Sequence, residues 1–138
     1  MSPRGFTLLE LLTVLVVVGI LAALAVPAYR QHVMRVNRSE AMTLLLQLQG
    51  AEESHYLRHD AYTASLDAAP PAGLGMSATS ASNKYAVAIA LAADGQSYIA
   101  TATPLGTQAD DRECLAFSID ARGRRAVTGT ADIRRCWK

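Results

Sequence analysis

Residues 6–28 read FTLLELLTVLVVVGILAALAVPA, and this stretch decides the fold. Wound as an α-helix at 1.5 Å per residue, it spans about 34 Å, enough to cross the hydrocarbon core of a bilayer. Glu10 is its only charged residue. Arg4 stands before it and Arg30 and Arg35 after it, so flanking positive charge alone does not orient the segment. A cleaved secretory signal has a basic leader region, a shorter apolar run and a small-residue cleavage site beyond that run. Ala22, Ala23 and Ala25 imitate such a site, but a carboxylate inside the run and the very short stretch ahead of it do not fit that class. Gly19 and Pro27 interrupt the helix. Proline removes one backbone hydrogen bond and crowds the preceding turn, so a kink is expected between Ala23 and Pro27.

Outward from this segment the pattern becomes amphipathic. Val33, Val36, Ala41, Leu44, Leu45, Leu48 and Ala51 recur near helical spacing, with Arg30, Arg35, Arg38, Gln47 and Glu52 assigned to the other faces. Residues 6–57 are therefore expected to form one long helix, half in lipid and half covering a folded domain. Residues 60–83 are rich in Ala, Pro, Gly and Ser, including Pro70-Pro71 and Gly73-Leu74-Gly75, and read as a loop. Two strands are expected over 84–92 and 97–103, joined by Ala93-Asp94-Gly95-Gln96, where Asp-Gly is a strong hairpin cue. A third, opened by Cys114, runs over 113–120 with Leu115, Phe117 and Ile119 on one face; Arg122-Gly123 turns it into a fourth over 125–128. The fold class is α+β, a long N-terminal helix packed on a four-stranded antiparallel sheet with one apolar face.

The chain has 138 residues, room for one domain of ordinary size, and its net charge of +1 conceals an uneven distribution. Between residues 112 and 138 seven basic residues stand against three acidic ones. Arg122, Arg124, Arg125, Arg134, Arg135 and Lys138, displayed together, form a patch suited to phosphates and hence to DNA; an ordinary solvated face is the alternative. Only Trp137 is at hand there for base stacking, so any binding is expected to be non-specific and salt-sensitive. Cys114 and Cys136 belong to no CxxC, which argues against a zinc or thioredoxin-type site. Outside the cytoplasm such a pair suggests one disulfide, worth about 3 kcal/mol by loop closure; two buried thiols are the alternative. His55 and His59 lie one turn apart with no third ligand evident, so no metal is expected, and His32 is isolated. The chain has no GxSxG, HExxH, Walker loop or GxGxxG. Neither catalysis nor a cofactor is expected.

Gly5-Phe6-Thr7-Leu8-Leu9-Glu10 resembles the prepilin signature of type IV pilins and type II secretion pseudopilins. The resemblance implies that a prepilin peptidase cuts after Gly5 on the cytoplasmic side and methylates the new amine of Phe6. Residues 1–5 are then a leader peptide and 6–28 the transmembrane and filament-core helix. Residues 29–138 become the periplasmic or extracellular globular domain, including the second half of the helix. The resemblance also implies that Glu10 meets the Phe6 amine of a neighbouring subunit in the filament. A carboxylate in hydrocarbon costs about 3 kcal/mol and needs such a reason. Arg38-Ser39-Glu40-Ala41, followed by Glu52-Glu53-Ser54-His55-Tyr56, is similar to the corresponding helix of type IVa pilins, especially PilE-like minor pilins. Cys114 with Cys136-Trp137 resembles their disulfide-bounded C-terminal loop. The function implied is that of a type IV pilus subunit, a minor pilin, serving pilus biogenesis, twitching motility or adhesion. Its partners are other pilin subunits, the inner membrane before assembly and, through the basic patch, DNA. A major pilin and a type II secretion pseudopilin share the N-terminal motif and stay open; the cysteine pair and the basic tail weigh against the pseudopilin.

Overall fold

The computed structural model describes residues 5–138; the remainder of the expected leader, Met1 to Arg4, lies outside the described residues. Helix α1 spans Leu8–His59. Its start is fixed by Thr7, whose carbonyl accepts from the Leu11 N–H at 3.2 Å and whose hydroxyl accepts from the Glu10 N–H at 3.2 Å. In return the Glu10 carboxylate accepts from the Thr7 N–H and hydroxyl, each at 3.4 Å. This is a capping box, in which two otherwise unsatisfied N–H groups are answered reciprocally. Glu10 therefore has hydrogen-bond partners on its own helix, which the apolar reading of the segment did not foresee. The helix runs on through Gly19 and Pro27 without ending.

The chain divides into two compact units, one ending at Val33 and the other comprising Met34–Lys138. In the first, the apolar side chains stand open to the surroundings: Leu9 is 76% exposed and Val26 56%. An 18-residue window of this helix has mean hydropathy 2.7 with none of it buried within the chain. A surface of that kind is stable only when covered by lipid or by other subunits.

In the second unit four strands follow the helix, β1 (Tyr85–Leu91), β2 (Tyr98–Pro104), β3 (Phe117–Asp120) and β4 (Arg125–Val127). They form one antiparallel sheet in sequence order. The β1–β2 hairpin turns where Asp94-Gly95 predicts it. Gly95 sits at φ +67°, a left-handed conformation in which a Cβ is strained, and its N–H donates to the Ala92 carbonyl at 3.0 Å. Side chains alternate across a strand, so Tyr85 and Val87, Tyr98, Ala100 and Ala102, and Phe117 and Ile119 line one buried face. Against them lie Ala41, Leu44, Leu45 and Leu48 of α1. Each of these leucines contributes about 2 kcal/mol by burial. The loop over 60–83 has no strand of its own beyond one bridge from Thr79 to Ala86, which covers the outer edge of β1.

Three expectations are corrected. Val36 is 54% exposed, so it is not part of the buried stripe. Arg38, Glu52 and His55 are buried and occupy that stripe instead. The positions Arg38, Ala41, Leu45, Leu48, Glu52 and His55 advance by three or four residues throughout, which is why polar residues land on the core face. Third, Cys114 does not open β3. Leu115 lies at φ +49°, which breaks the extended run, and the strand begins only at Phe117. Two short elements were not expected: a 3-10 turn over Gly106–Asp110 and helix α2 over Ile133–Cys136.

The buried acid has a consequence for stability. Glu52 is wholly buried; its Oε2 accepts from the Thr63 N–H at 3.1 Å. Its Oε1 and the buried Tyr98 hydroxyl have no hydrogen-bond partner. Burial raises the Glu52 pKa above its ordinary 4.5; Glu53 adds to the rise, while the Thr63 N–H and His55 oppose it. The fold thus favours the protonated acid. Its contribution is complete below the unfolded pKa and is lost as pH rises through the folded one. Glu52→Gln, which keeps the acceptor for Thr63 and removes the charge, is expected to raise the melting temperature by roughly 4–8 °C near pH 8. Near pH 4 it should leave it almost unchanged. Circular dichroism melts of the full chain in detergent at the two pH values check this, and an equal shift at both would refute it.

Candidate nucleic-acid interface

The C-terminal segment is organised by a buried cation on α1. Arg38 is 7% exposed, and its Nε and Nη2 donate to the two carboxylate oxygens of Asp111, each at 2.7 Å. Nη2 also donates to Glu113 Oε2 at 2.9 Å. The two carboxylates, Asp111 foremost, raise the Arg38 pKa further despite its burial. Beside them Gln108 is buried and saturated: it accepts from Asn37 Nδ2 at 2.9 Å and donates to the Tyr85 hydroxyl at 3.0 Å and the Met34 carbonyl at 3.1 Å. Residues 108–113 are thereby fastened to the helix, and Cys114 follows directly.

Cys114 and Cys136 form a disulfide across a separation of 22 residues. The returning chain lies against the same segment: the Gly129, Thr130 and Ala131 N–H groups donate to the carbonyls of Cys114, Arg112 and Glu113 at 3.1, 3.1 and 2.8 Å. Any Cβ at position 129 would run into the Glu113 backbone, so only glycine allows this approach. Asp132 then caps α2, accepting from the Arg134 N–H at 2.8 Å. Glu113 Oε1 accepts from Arg135 Nη2 at 2.9 Å, which carries the ion-pair chain from Arg38 to α2.

The six basic residues singled out in the sequence, Arg122, Arg124, Arg125, Arg134, Arg135 and Lys138, are all exposed, but they are not equivalent. Arg124 Nε pairs with Asp120 Oδ2 at 2.6 Å. Asp120 Oδ1 also accepts from the N–H groups of Arg122 and Arg124, at 3.0 and 2.9 Å, which shapes the β3–β4 turn. Desolvation is the largest single influence and pushes the Asp120 carboxyl up, but the bonds from Arg124 and Arg122 together outweigh it and hold the carboxyl below its ordinary range. Arg135 is engaged by Glu113. The Arg125 guanidinium lies 4.9 Å from the centre of the Trp137 ring. That ring meets Phe117 edge-on at 5.7 Å, and its Nε1 donates to the Ala126 carbonyl of β4 at 3.2 Å.

Trp137 is therefore a structural residue and not the open stacking platform that the sequence suggested: one face carries Arg125 and its edge abuts the core. The sequence showed the cations but not their pairing, because Arg38, Asp111 and Glu113 are drawn together only by the fold. The capping box at Thr7 and Glu10 was legible as Thr-x-x-Glu. His55 and His59 stack at 4.4 Å, and His55 Nδ1 donates to the Ala61 carbonyl at 2.9 Å. Among the described residues no group of three or more His, Cys, Asp or Glu is arranged to hold a metal.

Comparison with known proteins agrees with this architecture. Residues 27–118 match the family described as type IV minor pilin ComP, DNA uptake sequence receptor, and residues 1–26 match the prokaryotic N-terminal methylation motif. The fimbrial protein EcpC of Eikenella corrodens is 38% identical over 104 residues, covering 75% of this chain and 64% of that protein. The type IV major pilin protein PilE1 of Neisseria gonorrhoeae is 37% identical over 89 residues, 64% of this chain and 40% of that protein. The chain thus spans less than two thirds of the length of these relatives. A type IV pilin structure from Shewanella oneidensis superposes with a TM-score of 0.52 at 25% identity, over 72% of this chain and 97% of that one. The family and the fold are those of structural, filament-forming proteins. The chain is a type IV pilin subunit and belongs to the family described as type IV minor pilin ComP, DNA uptake sequence receptor.

Proposed function

We propose that this pilin is a minor subunit of a surface filament and that its C-terminal basic patch binds duplex DNA. The carrying observation is how the acids of this segment are used. Glu113 is engaged by Arg38 and Arg135, Asp120 by Arg124, and Asp132 by the cap of α2. Arg122, Arg125, Arg134 and Lys138 are exposed and none has a carboxylate partner among the described residues. The local balance is therefore more positive than the net charge of the chain suggests, and a polyanion is the natural counterpart. The family description, which names DNA uptake sequence reception, supports DNA as the ligand; the match spans residues 27–118 and the patch follows it.

The N-terminal unit supplies assembly. In this reading a prepilin peptidase removes residues 1–5 after Gly5, and Phe6 becomes the methylated N-terminus. The apolar segment 6–28 anchors the chain in the inner membrane before extraction into the filament core. Residues 29–138 then stand in the periplasm and, after assembly, outside the cell. Glu10 answers the Phe6 amine of the neighbouring subunit, while Gly19 and Pro27 mark where the helix loosens on packing. Motility, adhesion and DNA uptake are all outputs open to such a filament.

Two measurements test these statements. Binding of fluorescent duplex DNA to the full chain in detergent is expected to weaken steadily with salt, with a log–log slope of about −0.9 per phosphate neutralised. Replacing Arg122, Arg134 and Lys138 together by Gln should make that slope shallower by roughly 2 to 3. Absence of binding at low salt, or affinity indifferent to salt, would remove the DNA reading. Separately, quantitative mass spectrometry of sheared filaments should find this chain as a small fraction that begins at methylated Phe6. Dominance would make it the major subunit, and confinement of the processed chain to the envelope would make it a secretion pseudopilin. In the same preparations Glu10→Ala and Glu10→Gln should both insert in the membrane but enter filaments poorly. Glutamine can still close the capping box, so normal entry of Glu10→Gln would show that the cap, and not the charge, is what assembly needs.

A further inference from the structure

Of the six cations of this patch, Arg122, Arg125, Arg134 and Lys138 have no carboxylate partner among the described residues, and of these Arg125 is the one that lies over an aromatic ring. The Arg125 guanidinium rests 4.9 Å from the Trp137 ring centre, and the ring is fixed on two sides by Phe117 and by the Ala126 carbonyl. Trp137 also follows directly on Cys136 of the disulfide, so its position is tied to Cys114, which lies shortly before β3. Arg122 lies in the β3–β4 turn and Arg134 in the four-residue α2, and among the described residues neither guanidinium lies over an aromatic ring.

A freely rotating arginine is an adaptable phosphate ligand. An arginine stacked on an aromatic ring keeps the fork of its N–H groups in one orientation and loses less freedom on binding. That fork matches the O6 and N7 acceptors of guanine in the major groove. With the indole on one side of the Arg125 guanidinium, its N–H groups have the open side left for a ligand. We propose that Arg125 is the base-reading residue of this patch, selecting guanine at one position, and that Trp137 is the positioning residue that aims it. The remaining cations contact phosphate. This inference rests on the DNA reading above and replaces the expectation of purely non-specific binding, which assumed that specificity here would need an aromatic stack on the base.

The test uses the full chain in detergent with a pool of random duplexes, sequenced after binding. The wild type should enrich guanine at one position over other bases by roughly 5- to 150-fold, the range of one bidentate arginine contact. Arg125→Lys keeps the charge and removes the fork. It should bind the pool with nearly wild-type affinity and salt slope, with the guanine enrichment falling well below the wild-type value, because a lysine ammonium still reaches O6 or N7 but lacks the pre-set fork. Trp137→Phe retains a ring beneath the guanidinium and should keep part of the preference, while Trp137→Leu should lose it. If Trp137→Leu melts early, Arg125→Lys, at a solvent-exposed site, still decides the matter. Wild-type guanine preference in Arg125→Lys, or no base preference in the wild type, overturns this inference and leaves DNA binding standing. Failure of the wild type to bind any duplex at low salt overturns both.

Discussion

The buried guanidinium of Arg38 is the contact on which the C-terminal half of the domain depends. It lies on the core-facing stripe of α1, where a lone charge is costly, and it is answered by both oxygens of Asp111 and one of Glu113. Glu113 passes the interaction on to Arg135 of α2. A single chain of ion pairs therefore links the helix, the segment before the disulfide and the C-terminal turn. Such a pair is weak evidence for net stability, since apolar residues of matching shape often do as well. Its physical value here is registry: only one placement of residues 108–113 along the helix satisfies Arg38, Gln108 and Asn37 together.

That registry matters because the sheet itself constrains the C-terminus weakly. β4 has three residues and α2 four, too few to be stable by backbone bonding alone. The disulfide, the close passage at Gly129 and the Trp137 indole bonded to Ala126 of β4 supply what these elements lack. The tail is built from cross-links, Arg135 among them, and it displays Arg122 and Arg134 outside those ion pairs.

The sequence was informative where periodicity or a turn cue ran uninterrupted. The apolar run of 6–28, the hairpin at Asp94-Gly95 and the four-stranded meander were all legible, because each is specified by local pattern. Reading failed where one long-range partner reverses the meaning of a residue. Arg38 and Glu52 look solvent-facing by polarity, yet they sit on the core stripe because Asp111 and Thr63 reach them from elsewhere in the chain. Leu115 continues an alternating pattern and nevertheless adopts a left-handed conformation before β3. At the candidate interface the cations were visible in composition. Which of them are neutralised, by Asp120 and Glu113, and which one is stacked, on Trp137, are properties of the fold alone.

On the proposed assembly, Glu10 would answer two demands at different stages. A carboxylate in an apolar helix is expensive unless something answers it, and in the single subunit the Thr7 N–H and hydroxyl do so from one turn away. The first turn of a helix is also where the backbone dipole favours a negative charge. Both contacts are long, at 3.4 Å, so they hold the carboxylate without saturating it. On the proposed assembly a neighbouring amine would replace these weak partners with a charge-assisted bond in a medium of low dielectric, where such a bond is stronger. The carboxylate is then never left bare between membrane and filament. On that proposal the exchange from a neutral to a charged partner would give assembly a directional gain at this residue.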